Sequence, residues 1–315
     1  MDVAEGVLAG DARAIARAIS MVEDGADDLP TLSAALFPRT GRAWTVGLTG
    51  SPGVGKSTLA GALVRSARAA GERVAVLAID PTSPFTGGAL LGDRLRMQEH
   101  ATDPGVFIRS MATRGHLGGM ALAAPEAVRI LDAAGNDLVI VETVGVGQAE
   151  VDVAAATDTT LVVVSPGWGD AVQVAKAGIL EIADIFVVNK ADREGAATAV
   201  RDLEAMLHLG APTPWTPPVV AVRAADGGGV DDLRAAIARH RAHLEGAGLV
   251  APLRRTRLLR EVEALAAERL RRTLRARLED DAELGDALLA RRVDPYAAAA
   301  ALGAAAAVTR PGVGG

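Results

Sequence analysis

Gly50-Ser51-Pro52-Gly53-Val54-Gly55-Lys56-Ser57 sets glycines, a lysine and a hydroxyl residue at the spacing that wraps phosphate. Backbone amides of such a loop point inward, and the N-terminus of the next helix adds positive potential. Lys56 is expected to contact the outer phosphates and Ser57 to bind magnesium, while Thr58 opens a helix running to Ala70. An apolar run, Trp44–Thr49, precedes the loop, so the motif stands between a strand and a helix, where a chance glycine-rich turn rarely falls.

A second constellation, Asn189-Lys190-Ala191-Asp192, follows the apolar run Ile185–Val188. The Asp192 carboxylate can accept both hydrogens that guanine offers from its ring nitrogen and amino group. Adenine would leave that carboxylate unpaired, a penalty of about 1–3 kcal/mol. Ala224 follows the next strand candidate and is expected to donate its backbone amide to the guanine oxygen. Asp80 and Glu142 end apolar runs, where open α/β sheets gather ligands, and are candidates for magnesium and catalysis; a turn or capping role before Pro81 is the plainer reading of Asp80. Gly145 is placed to sense the γ-phosphate. Asp93, after a glycine-rich stretch, is a further metal candidate or an ordinary loop carboxylate.

These residues need a scaffold that brings loops together at one edge. Seven short apolar runs supply it: Trp44–Thr49, Val74–Ile79, Val106–Ile108, Leu138–Val141, Leu161–Val164, Ile185–Val188 and Val219–Val222. Their near-continuous hydrophobicity and the amphipathic stretches between them predict an α/β fold with a mostly parallel central sheet flanked by helices. Residues 1–43 read as a helical extension, with Leu8, Ile15, Ile19 and Val22 at helical spacing. The nucleotide domain is expected over 44–247. A helical region follows over 248–315, its arginine-rich segment Arg254–Arg277 being either a solvated face or a partner surface, with a frayed tail from Ala304.

Composition narrows the partners. A net charge of −6 argues against coating nucleic acid, and the absence of cysteine removes disulfides, thiolate zinc sites and iron–sulfur clusters. The N-terminus lacks the pattern of a secretory signal and no run of about 20 uncharged apolar residues appears, so a cytoplasmic protein without a membrane span is expected. His116 has no second ligand near it in sequence and reads as a loop residue.

The motifs in order, Gly50–Ser57, Asp80–Gly88, Gly92-Asp93-Arg94, Arg109–Gly119, Glu142–Gln148 and Asn189–Asp192, together with Gly10–Ser20 and Val293–Ala297, resemble those of the methylmalonyl-CoA mutase-associated GTPases, P-loop proteins. The resemblance implies a homodimeric chaperone of an adenosylcobalamin-dependent acyl-CoA mutase. It implies GTP hydrolysis with Mg2+ that gates cofactor loading, the cobalamin belonging to the partner, and a C-terminal dimerisation arm. It also implies three switch segments, Pro81–Met97, Glu142–Glu150 and Ser165–Lys176, with Gln148 and Lys176 coupling to the mutase. Where many relatives read Ser-Ala in the guanine loop, this chain has Arg223-Ala224; a backbone contact survives that change. Two other readings compete: a kinase linked to amino-acid transport, and a nickel-insertion GTPase, whose usual Cys and His ligands a cysteine-free chain lacks.

Overall fold

A computed structural model describes residues 2–81, 100, 102–113, 119–143, 149–166, 181–209 and 213–308, with backbone alone for 80–81, 112–113, 119–122, 149–152 and 303–308. Seven strands form one sheet: β1 (Trp44–Thr49), β2 (Val74–Pro81), β3 (Val106–Thr113), β4 (Leu138–Thr143), β5 (Thr159–Val164), β6 (Ile185–Asn189) and β7 (Val219–Val222). Their order is β3-β2-β4-β1-β5-β6-β7, and every pairing is parallel. All seven apolar runs are strands. The short run at Val106 extends to Thr113 because β2 pairs with it along its whole length.

Alternate residues face opposite sides of a strand, and both sides here are covered. Val46, Leu48, Val76, Ile140, Leu161, Val163 and Val187 pack toward α4 (Lys56–Ala69), which contributes Leu59, Leu63 and Val64. Ala75, Leu77, Val139 and Val141 point the other way, into a core shared with α1 (Val3–Leu8), α2 (Ala12–Asp24), α3 (Leu29–Leu36) and α5 (Gly119–Ala133). Val162, Val164, Phe186 and Val188 form a third cluster with Leu203 of α7 (Ala196–Leu209). Helix α6 (Ala149–Ala156) adds its fully buried Val153 to the second of these cores.

The N-terminal extension is helical as expected, but Leu8 closes α1 and is exposed, while Ile15, Ile19 and Val22 of α2 are buried. Gly10 interrupts the pattern at φ +75°, and the Asp11 carboxylate then caps α2 by accepting from Ala14 N at 2.7 Å.

Four helices end the described chain: α8 (Val230–Gly246), α9 (Val250–Asp280), α10 (Ala282–Leu289) and α11 (Pro295–Val308). Helical backbone thus continues beyond Ala304 to Val308. By its contacts the chain divides into two compact units, residues 1–257 and 258–315. Within the second, Leu259, Val262, Leu265, Leu270 and Leu278 of α9 are exposed, and Glu268 accepts from Arg271 and Arg272. Among the described residues no helix is long and apolar enough to cross a membrane.

Candidate nucleotide-binding site

Strand β1 lies between β4 and β5, and the chain leaves it in one direction to build β2 and β3 and later returns to build β5 to β7. That reversal opens a crevice at the C-terminal end of β1, the position where open α/β sheets take ligands. The loop from Gly50 to Gly55 occupies it, and α4 begins at Lys56. Two glycines are obligatory for packing as well as for φ. A Cβ on Gly50, at φ +137°, would collide with the Val163 carbonyl, and one on Gly55, at φ +96°, would stand 2.5 Å from Asn189 Nδ2.

Lys56 is buried and its ammonium donates to the carbonyls of Gly50 at 2.6 Å and Ser51 at 3.1 Å. The charge is therefore held across the mouth of the loop. The Ser57 hydroxyl donates to Glu142 Oε1 at 2.6 Å, and both residues are buried. Register explains the meeting: Glu142 on β4 pairs with Leu48 on one side and Ala78 on the other, so its carboxylate rises between β1 and β2 beside the first turn of α4.

Asn189 ends β6 and ties three loops together. Its Nδ2 donates to the carbonyls of Val54 at 2.9 Å and Gly55 at 3.3 Å, and its Oδ1 accepts from Ala224 N at 3.2 Å. Lys190 follows at φ +57°, a left-handed conformation costly for a residue with a side chain, and its ammonium donates to the Gly53 carbonyl at 2.5 Å. The Ala191 amide donates to the Val222 carbonyl at 3.1 Å, fixing the turn that presents the exposed Asp192. Phosphate loop, base-reading turn and the loop after β7 are thus one hydrogen-bonded assembly.

The sequence singled out Asn189 and Lys190 but not their work of holding the phosphate loop, because spacing along a chain carries no sign of which carbonyl a side chain will meet. Ala224 differs from expectation in detail. Its one amide hydrogen is engaged by Asn189, and the neighbouring exposed Ala225 amide has no partner among the described residues. Arg223 turns away from the loop, its Nε donating to both Asp226 oxygens at 3.3 and 3.0 Å.

Asp80 is the penultimate residue of β2 by its backbone, but its side chain lies outside the described residues. So do Asp93, Gly145, Gln148, Lys176 and His116, and with them the greater part of the three expected switch segments. Among the described residues no group of three His, Cys, Asp or Glu is arranged to hold a metal ion.

A profile described as "Methylmalonyl Co-A mutase-associated GTPase MeaB" matches residues 15–279. The chain belongs to the MeaB family. It is 48% identical over 302 residues to a protein of Pyrococcus horikoshii named as a candidate GTPase, with 95% of each chain covered. It is 46% identical over 164 residues, 52% of this chain and 41% of the other, to the mitochondrial methylmalonic aciduria type A homolog of Caenorhabditis elegans. A crystal structure described as a LAO/AO transport system kinase superposes with a TM-score of 0.71 at 28% identity, covering 96% of this chain and 95% of the other. MeaB-family membership makes the protein a guanine-nucleotide-binding P-loop GTPase, a hydrolase acting on GTP.

Proposed function

We propose that this GTPase serves an adenosylcobalamin-dependent acyl-CoA mutase, with methylmalonyl-CoA mutase the first candidate, gating the loading of its cofactor and protecting it. The family match carries this reading. The three-way tie at Asn189 supports the mechanism, since it makes the phosphate loop and the base-reading turn one rigid receptor for the nucleotide.

Catalysis in this reading is positioning plus electrostatics. Lys56, the loop amides from Gly50 to Thr58 and the N-terminus of α4 gather on the triphosphate and stabilise charge on the transferred phosphoryl group while water attacks. Asn189, Lys190 and Asp192, with the backbone at Arg223 and Ala224, frame the guanine. Gly145 would sense the γ-phosphate. The Ser57 hydroxyl and Glu142 carboxylate are hard oxygen donors already within one coordination sphere of each other, a chemistry that fits Mg2+. Asp80 and Asp93 would complete the set around it. Bound there, the metal would neutralise charge on the outer phosphates.

Gln148 and Lys176 would pass the nucleotide state to the mutase, and residues 248–315 would form the arm of a homodimer. The exposed apolar side chains of α9, flanked by arginines and followed by an acidic run from Glu279 to Asp286, are a surface that a second copy would cover. The test is co-purification from native lysate with GDP or a non-hydrolysable GTP analogue. A cobalamin-dependent mutase should be enriched in one nucleotide state over the other; no such enzyme in either state would overturn the reading. The likeness to a structure described as a transport system kinase raises one competitor. Label from γ-phosphate-labelled GTP is expected as free phosphate, and its transfer to protein would favour that competitor.

A further inference from the structure

The loop after β7 is closed on itself at every amide but one. Arg223 N donates to the Gly228 carbonyl at 2.7 Å, Asp226 N and Gly227 N donate to the Arg223 carbonyl at 3.2 and 3.0 Å, and Gly228 N donates to Asp226 Oδ1 at 2.9 Å. Ala224 N donates to Asn189 Oδ1 at 3.2 Å. Within 223–228, Ala225 N alone has no acceptor among the described residues, and Ala225 is exposed. An open backbone donor in an otherwise satisfied turn can be given to a ligand without breaking any bond of the loop.

Asn189 decides which of the two neighbouring amides stays open. Its Nδ2 faces the carbonyls of Val54 and Gly55, which can only accept, so the side chain cannot turn over and Oδ1 is held toward Ala224. Asn189 and Ala224 are both only 2% exposed. A ligand that took the Ala224 hydrogen would leave a buried amide oxygen without it, and that loss would offset the gain. The Ala225 hydrogen carries no such penalty. The turn that closes on the Arg223 carbonyl has the pattern of one helical turn, whose first amides leave from the same end, so the Ala225 hydrogen emerges beside the one that Asn189 holds.

We propose that the Ala225 amide reads the oxygen of guanine, and that Asn189 reserves the Ala224 amide for the loop's own structure. The inference rests on guanine binding between the Asn189–Asp192 turn and the loop after β7. These two segments are held side by side, because Ala191 N ties its turn to the Val222 carbonyl at 3.1 Å, one residue before Arg223. Guanine presents one acceptor next to two donors along a single edge. Asp192 accepts the two hydrogens, and Ala225 donates to the oxygen. Adenine carries an amino group where guanine has that oxygen, so it would set a donor against the Ala225 hydrogen. One amide thus holds guanine and rejects adenine.

Because a main-chain group does the reading, the change that tests it has to be made in the backbone. Lactic acid in place of alanine keeps the methyl group and replaces N–H by oxygen. The matching change in the ligand is 2-aminopurine riboside diphosphate, a guanine analogue without the oxygen. The analogue also lacks the ring hydrogen, but that difference is common to every protein form and cancels when variants are compared.

The full chain carrying Ala225→lactic acid or Ala224→lactic acid is titrated with GDP and with the analogue. Ala225→lactic acid should lower GDP affinity by roughly 5- to 150-fold and leave the analogue within about twofold of wild type. Ala224→lactic acid should weaken both ligands by the same factor, since it loosens the loop rather than a contact with the oxygen. A selective loss of GDP at 224, or an equal effect on both ligands at 225, would overturn the proposal. Wild-type protein with no preference for GDP over ADP would remove the guanine reading itself, and the proposal with it. If a variant fails to fold, NMR of wild type labelled with nitrogen-15 alanine, assigned with Ala225→Gly, decides. GDP should move the Ala225 amide proton downfield and the analogue should move it far less, whereas a shift at Ala224 in its place would sink the idea.

Discussion

The two ends of this sheet use the same polar vocabulary for opposite purposes. At the C-terminal ends, Lys56, Asn189 and Lys190 spend their hydrogen bonds on loop carbonyls, holding backbone in shapes that face outward. At the N-terminal ends, polar groups close on one another. The buried Asp158 receives Arg254 at 2.8 Å, Arg257 at 2.7 Å and Thr45 N at 3.2 Å, while Asp132 accepts the amides of Gly41, Arg42 and Ala43. One end presents its groups to a ligand and the other closes on itself. Damage should accordingly appear as lost activity at the first and lost stability at the second.

The largest effect is expected from Lys56→Ala. Removing the charge that spans the mouth of the phosphate loop should abolish GTP hydrolysis, a loss of about a thousandfold or more, with unfolding little changed. Initial-rate phosphate release and urea unfolding on the same preparation check both halves. Turnover like wild type would remove Lys56 from the site.

This division also explains what was readable in advance. The central strands were legible because they are buried on both sides and read as apolar runs, as Ile185–Val188 does, while the edge strands β3 and β7 are only partly buried. The phosphate loop was legible because its glycines are forced by positive φ and by close approach to Val163 and Asn189. The closed end was not. Asp158 and Arg254 stand 96 residues apart, and nothing in either stretch of sequence tells a core ion pair from surface charge. The arginines of the segment after residue 253 read as a solvated face or a partner surface, whereas Arg254 and Arg257 reach back to Asp158. Ser57 and Glu142 were both named, but their contact depends on strand order, which a chain read in one dimension does not contain.

Asp158→Ala is the counterpart at the closed end. Burial alone would raise this carboxyl, but Arg254 and Arg257 outweigh that and hold it below the usual range. Removing it strands two guanidiniums and should cost about 3–5 kcal/mol of stability in urea unfolding. The carboxyl is depressed in the folded state, so its contribution is present above pH 3.8 and lost as pH falls through the folded value. Hydrolysis per folded molecule should stay at the wild-type rate. A folded Asp158→Ala protein that had lost turnover would show that the two ends are not separable.

The smallest and most specific effect is expected at Asp192. Its carboxylate is exposed and has no protein partner among the described residues, so Asp192→Asn should leave folding and phosphate binding intact. It should weaken guanine selectivity, because an amide cannot accept both hydrogens of the base edge. Losing one such bond corresponds to about 1–3 kcal/mol, or a fall of roughly 5- to 150-fold in the preference for GTP over ATP in competition binding. Arg223→Ser is the matched control. Arg223 sits in the same loop, but its side chain is engaged by the exposed Asp226, and its backbone is held by Gly228 O at 2.7 Å whatever side chain it bears. Its preference should change by no more than about twofold. Equal losses in the two variants would mean that the loop, rather than the carboxylate, reads the base.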